Sequence, residues 1–245
     1  MTKSWRYPRW IAHRGAGKLA PENTLAAFAL GASHGYRMFE CDVKLSQDCV
    51  PFLMHDAELD RTTNGKGVAG SLTWGNLARL DAGSWHSRRH AGEPLPSLEN
   101  IARFCLANGH ALNIEIKPTP GTGTQTGTAV ANHAALLWQS ADVPPLLTSF
   151  DPLALQAAQQ AQPNLPRGLL LHAATEGWIT LAQQLGCVAI VCNHVLWNAE
   201  TVRQAKAADM RCLSYTVNDM PTAERLFALT TDGIITDRVD LFVPG

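Results

Sequence analysis

The chain has 245 residues, 46% of them hydrophobic and 17% charged, with a formal net charge of -1. That length and apolar content suit a compact globule with a sizeable core and exclude a disordered chain. A near-zero charge without any basic run argues against a nucleic-acid partner, which needs clustered Lys and Arg to displace counterions.

Met1 to Trp10 is polar and aromatic and has no apolar h-region, so no signal peptide is expected. No stretch offers about 18 uninterrupted apolar residues, so no membrane insertion is expected either. The first strand-like run is Arg9 to His13, followed by helical composition from Asn23 to His34. Met38 to Leu45 is the second run. Ser46, Gln47 and Asp48 then turn the chain into a hairpin strand, Val50 to Met54, which opens a Gly-, Trp- and Arg-rich insertion over residues 50–97. Such an insertion is either a plain loop elaboration or a lid over a site. Leu98 to Asn108 is helical. Ala111 to Lys117 is the next strand, and the Thr- and Gly-rich Thr119 to Gly127 reads as a mobile loop.

Further strands are expected at Leu146 to Phe150, Arg167 to Leu171, Val188 to Cys192, Arg211 to Val217 and Gly233 to Thr236, with helices at Leu153 to Ala161 and Ala199 to Ala208. Asp151 followed by Pro152 looks like a helix start. This alternation favours a parallel sheet, and at this length it fits a single TIM (β/α)8 barrel over residues 1–245 with a small insertion after the second strand. The six cysteines show no CxxC pair and read as buried, reduced thiols, which points to the cytoplasm.

Four polar clusters end apolar runs: His13-Arg14, Glu40-Cys41-Asp42, His55-Asp56 and Glu115-Ile116-Lys117. Residues two apart on a strand share a face, so Glu40 with Asp42, and Glu115 with Lys117, point into the barrel near its C-terminal end. Three carboxylates converging there would raise one another's pKa values unless a cation balanced them. One divalent ion with oxygen ligands, Mg²⁺ or Ca²⁺, suits them. His13 and His55 can exchange protons near neutrality. Arg14 and Lys117 suit phosphate oxygens. Asp56 either orients His55 or caps a turn, and Glu22 either caps a helix or braces Arg14 or a substrate hydroxyl. Asn113 lies on the inward face with Glu115. Asn218 ends a late strand, where it could touch substrate or metal-bound water. Phe150 and Trp197 could line a pocket or pack in the core.

These residues sit in the strings IAHRGAGKLAPENTLAAF, FECDVKLSQDCVPFLMHDAELDRTTNG, PLPSLE, LNIEIKP, LLTSF, SYTVN and DGIITD, in that order from about Pro8 onward. The set resembles the glycerophosphodiester phosphodiesterase family, most of all its cytoplasmic bacterial members linked to glycerol-3-phosphate uptake. The resemblance implies a barrel of the phospholipase C-like phosphodiesterase type that hydrolyses small glycerophosphodiesters to sn-glycerol 3-phosphate and an alcohol. By position it makes Glu40, Asp42 and Glu115 the metal ligands, His13 and His55 the acid–base pair, and Arg14 and Lys117 the phosphate contacts. Cys49 departs from the pattern, which has Gly after Asp48, and this puts the hairpin's turn geometry in question. The alternatives are a related phospholipase-type enzyme and a non-catalytic phosphodiester-binding barrel. A homo-oligomer is left open.

Overall fold

A computed structural model describes residues 5–173 and 175–244. Expectations that touch Met1 to Ser4, Ala174 or Gly245 lie outside them.

The barrel begins with β1 (Trp10–Ala12), α1 (Leu25–Ser33) and β2 (Met38–Leu45). α1 starts two residues later than its composition suggests. Asn23 takes a left-handed φ of 58°, and the Thr24 hydroxyl caps the helix by accepting from the Ala27 amide. β2 is buried along its whole length, as a strand covered on both faces should be. The hairpin strand β3 (Pro51–Leu53) runs antiparallel to β2. Its turn places Cys49 at φ 64°, a conformation that Gly adopts without steric cost. Cys49 is also the exposed cysteine; the other five are buried, so the expectation of buried thiols fails only at this turn.

The insertion continues through the short α2 (Trp74–Leu77) and reaches α3 (Leu98–Ala107). It packs a small core of its own around Phe52, Met54, Leu59, Leu77 and Leu95. The rest alternates: β4 (Ala111–Ile116), α4 (Gly123–Leu137), β5 (Leu146–Ser149), α5 (Pro152–Ala161), β6 (Arg167–Leu171), α6 (Trp178–Gln184), β7 (Ala189–Asn193), α7 (Ala199–Ala207), β8 (Arg211–Tyr215), α8 (Met220–Ala228) and β9 (Gly233–Thr236). Asp151 caps α5 with Pro152 in its first turn, as expected.

The stretch expected to be a mobile loop instead enters α4 at Gly123. Its glycines serve close packing: a Cβ on Gly127 would lie 2.2 Å from the Ala154 carbonyl oxygen of α5. Helix propensity is overridden here by the fit of two helices.

The strand order β1-β9-β8-β7-β6-β5-β4-β2 closes on itself because β1 also pairs with β2. The eight strands of this ring run parallel, a closed TIM-type barrel, with β3 as an antiparallel appendage. Phe39, Cys41, Val43, Leu112, Ile114 and Ile116 face the outer helices. Ile11, Met38, Leu146, Leu170, Val191, Leu213 and Ile235 fill the interior. Two registers shape the barrel mouth. β2 and β4 align Asp42 with Glu115, and β1 and β9 align Ala12 with Thr236. The first sets two carboxylates side by side. The second brings His13 and Asp237, the next residue on each strand, together.

Candidate active site

Strand parity turns Glu40, Asp42 and Glu115 to one mouth of the barrel, where each offers an oxygen within 4.8 Å of the others. Glu40 and Asp42 are buried. Burial pushes the Glu40 carboxyl up to about 8, aided by the charge of Asp42. Burial and Asp42 raise Glu115 too. Asp42 is the carboxylate that cations balance: burial works upward on it, yet Arg14 and Lys117 outweigh that and hold it low. Arg14 Nε lies 3.1 Å and Lys117 Nζ 3.4 Å from its two oxygens, and the Asn23 amide donates to it at 2.9 Å. Lys117 also holds Glu115 at 2.7 Å.

The set fits a divalent cation on two grounds. Hard oxygen donors converge, and Glu40 Oε1 is buried with no hydrogen-bond partner, an arrangement that is costly unless something pairs with it.

Each histidine is wired to a carboxylate. His13 Nδ1 lies 2.6 Å from Asp237 Oδ1, and His55 Nδ1 lies 2.7 Å from Asp56 Oδ1. An ionised carboxylate only accepts, so each Nδ1 carries its proton; His13 Nε2 faces Glu40 Oε2 at 3.7 Å, and both imidazoles line the pocket. Burial would lower the pKa of His13, but the bond to Asp237 and the charge of Glu40 outweigh it, and the pKa is raised. For His55 burial prevails over the pull of Asp42 and Asp56, and its pKa is lowered.

Asp56 therefore orients His55. Glu22 does not cap α1; it accepts from Arg14 at 2.8 Å. Arg61, from the insertion, joins the two: its guanidinium forks onto Glu22 at 2.8 and 2.9 Å and onto Asp56 at 2.5 and 3.1 Å. A chain of contacts thus runs from His55 through Asp56, Arg61 and Glu22 to Arg14.

A pocket of about 210 Å³ at this mouth is lined by His13, Arg14, Glu40, His55, Asn113, Glu115, Lys117 and Phe150, with Thr148, His172 and Tyr215 among the others. Asn113 is buried and accepts from the Thr148 hydroxyl. A larger cavity of about 490 Å³ lies elsewhere, lined by Trp5, Tyr7, Pro166 and Arg211. Those residues sit at the N-terminal ends of strands, away from the carboxylates, and so hold no part of this site.

Asn218 stands one layer back from the pocket. Its amide donates to Asp237 at 3.0 Å and accepts from the Asp237 backbone, so it fixes the carboxylate that fixes His13. Trp197 is buried among residues outside the barrel wall and donates to the Leu213 carbonyl; it does not line the pocket at the barrel mouth. Sequence reasoning missed Asp237, Arg61, His172 and Tyr215. Asp237 and His172 directly follow strands β9 and β6, the position where this architecture places functional groups. Arg61 had no comparable signal.

Fold and site together define a (β/α)8 barrel whose mouth can hold a divalent cation beside two carboxylate-bound histidines. Residues 13–241 match the model of the glycerophosphoryl diester phosphodiesterase family. YhdW of Bacillus subtilis (strain 168) is 32% identical over 242 residues, covering 95% of this chain and 96% of that protein. A glycerophosphodiester phosphodiesterase of Caldanaerobacter subterraneus subsp. tengcongensis is 31% identical over 228 residues, 93% of each. Among solved structures, an Oleispira antarctica phosphodiesterase in complex with the product sn-glycerol-3-phosphate superposes with a TM-score of 0.88 at 32% identity, covering 94% of this chain and 93% of that one. The chain belongs to the glycerophosphoryl diester phosphodiesterase family.

Proposed function

We propose that the chain hydrolyses glycerophosphodiesters to sn-glycerol 3-phosphate and an alcohol, using one divalent metal ion, Mg²⁺ or Ca²⁺, held by Glu40, Asp42 and Glu115. The observation that carries this is the meeting of those three carboxylates at one barrel mouth, where Glu40 and Glu115 line a pocket with two carboxylate-oriented histidines and the cations Arg14 and Lys117. The Oleispira relative bound to sn-glycerol-3-phosphate supports the product.

A bound divalent ion would polarise the phosphoryl group and offset its charge. Arg14 and Lys117 line the same pocket and neutralise the remaining phosphate charge. With both Nδ1 atoms tied to carboxylates, one neutral histidine takes a proton from the attacking water at Nε2, and the other, protonated on both ring nitrogens, gives its Nε2 proton to the leaving alkoxide. The P–O ester bond breaks, a new P–O bond forms, and the two protons balance. Asp237, Asp56, Asn218 and Arg61 hold the imidazoles in place and touch no substrate.

We assign residues 50–97 as an insertion within a single domain. It supplies His55 to the pocket and packs on the segment from β1 to α1: besides the Arg61 fork, Glu93 accepts from the Ala26 amide at 3.0 Å, and His86 Nε2 lies 3.1 Å from the Lys18 carbonyl. The six free cysteines suit a reducing compartment, consistent with a cytoplasmic role in recovering glycerol 3-phosphate. No helix among the described residues is long and apolar enough to cross a membrane.

The test is product identification by phosphorus NMR. Metal-repleted protein given glycerophosphocholine should release glycerol 3-phosphate and choline. Release of phosphocholine, or turnover that survives chelation unchanged, contradicts the reading.

A further inference from the structure

Around the ring, β6 lies opposite β1 and β8 lies opposite β4. The groups that would hold metal and phosphate sit on the β1–β2–β4 arc and the hairpin. The facing arc presents Phe150 after β5, His172 after β6, and Tyr215 at the end of β8. These three form one cluster. The His172 ring stacks on Phe150 with centroids 3.9 Å apart and planes 10° from parallel, and Tyr215 meets Phe150 edge-on at 5.7 Å. The carboxylates that line the pocket are Glu40 and Glu115, both on the other arc.

The hydrogen bonds of the cluster fix the direction of its polar groups. The Tyr215 hydroxyl lies 2.8 Å from the Leu171 carbonyl, which can only accept, so the phenol gives its one proton there. The same hydroxyl lies 3.1 Å from His172 Nδ1. With its proton already committed, the phenol oxygen must accept, and the neutral imidazole therefore carries its proton on Nδ1. Its Nε2 is then a lone pair offered at the rim of the pocket, where His172 is exposed.

We propose that His172 is a specificity-determining residue whose Nε2 accepts a hydrogen bond from a hydroxyl or primary ammonium on the alcohol half of the substrate. This rests on the hydrolase reading of the site. With its phosphate on the β1–β2–β4 arc, a diester sends one arm across the mouth. The arm that reaches the open rim is the one whose size can vary, which is the alcohol. A head group with an N–H or O–H donor pairs with Nε2. A trimethylammonium group has no donor and meets no carboxylate on this arc, so it gains only contact with the aromatic faces.

The experiment compares kcat/KM for glycerophosphoethanolamine, glycerophosphoglycerol and glycerophosphocholine at about pH 8. The proteins are wild type, His172→Phe, which keeps a ring on Phe150 but no acceptor, and His172→Gln, which can present an amide oxygen. Loss of one hydrogen bond predicts that the ethanolamine and glycerol substrates lose roughly 3- to 100-fold relative to the choline substrate in His172→Phe, the charged donor losing more. His172→Gln should recover part of that ratio. A uniform loss on all three substrates would place His172 on the common glycerol half, and an unchanged ratio would mean that no donor is read there; either overturns the proposal. Wild-type protein that turns over none of the three would instead overturn the hydrolase reading itself.

Discussion

Replacing Asp237 with Asn isolates the wiring of His13. The native carboxylate accepts from His13 Nδ1 at 2.6 Å and is held from behind by Asn218 at 3.0 Å. An amide can keep the rear contact but loses the charge. A hydrogen bond between charged partners contributes about 1.5–3 kcal/mol, and about 1.4 kcal/mol is tenfold in rate, so kcat should fall about 10- to 150-fold. KM should change little, because Asp237 does not line the pocket. The limb of the pH–rate profile that belongs to His13 should move to lower pH. Burial already pulls that pKa down, and the variant loses the bond to Asp237 that opposed it.

Stability carries the same signature. The raised pKa of His13 contributes stability that is full below its unfolded value near 6.5 and is lost as pH rises through the folded value. Asp237 is depressed: burial works upward, but the bond to His13 wins. Its contribution is present above its unfolded value and lost as pH falls through the folded one. The stability gap between wild type and variant is therefore widest between about pH 4 and 6.5 and narrows on either side. Steady-state kinetics across pH and urea melts at about pH 5.5 and 8.5 read both effects. A variant with wild-type kcat and an unmoved profile refutes the role given to Asp237.

Arg61→Gln should lower kcat/KM by about tenfold or more while costing no more than about 1 kcal/mol of stability, since ion pairs of a half-exposed arginine contribute little to folding. Combined with Glu22→Gln it should be non-additive by about 0.5–3 kcal/mol in a kinetic double-mutant cycle, and strict additivity would break the link from Arg61 to Arg14. Cys49→Gly relieves a left-handed φ of 64° that costs a side chain about 1–2 kcal/mol, against about 0.5–1 kcal/mol of added unfolded-state freedom. A urea melt should show a net gain of up to about 1.5 kcal/mol, and a loss would contradict the steric argument. Gly127→Ala drives a methyl to 2.2 Å from the Ala154 carbonyl oxygen, and should destabilise by about 1–3 kcal/mol in the same assay.

The barrel was legible because its strands announce themselves. Runs such as Met38 to Leu45 keep one face apolar, and the polar residues that interrupt them fall two apart on the other, so parity alone turned Glu40, Asp42 and Glu115 to one mouth. The wide gap between Met38 and Ala111 exposed the insertion and, with it, His55. Thr119 to Gly127 misled because composition reports the intrinsic preference of Gly and Thr, whereas α4 is set by how closely α5 approaches it. The depressed pKa of Asp42 depends on where Arg14 and Lys117 point, and no spacing rule encodes that. The partners of the histidines divide by sequence distance. Asp56 adjoins His55, so the sequence already offers it two roles, orienting that ring or capping a turn. Asp237 meets His13 only because barrel closure joins the first strand to the last, and Arg61 reaches Glu22 from a loop with no periodicity to read.

The central claim, that a carboxylate-held divalent ion drives phosphodiester hydrolysis, is tested most directly by the rate of glycerol 3-phosphate release as Mg²⁺ or Ca²⁺ is titrated into chelator-stripped wild-type and Glu40→Gln protein. Wild type should show a saturable dependence on the ion. The variant, which loses the charge of a buried carboxylate with one unpaired oxygen, should need on the order of 10- to 100-fold more metal or fail to turn over. Release that ignores the ion, or a Glu40→Gln curve that overlays the wild type, would contradict the account.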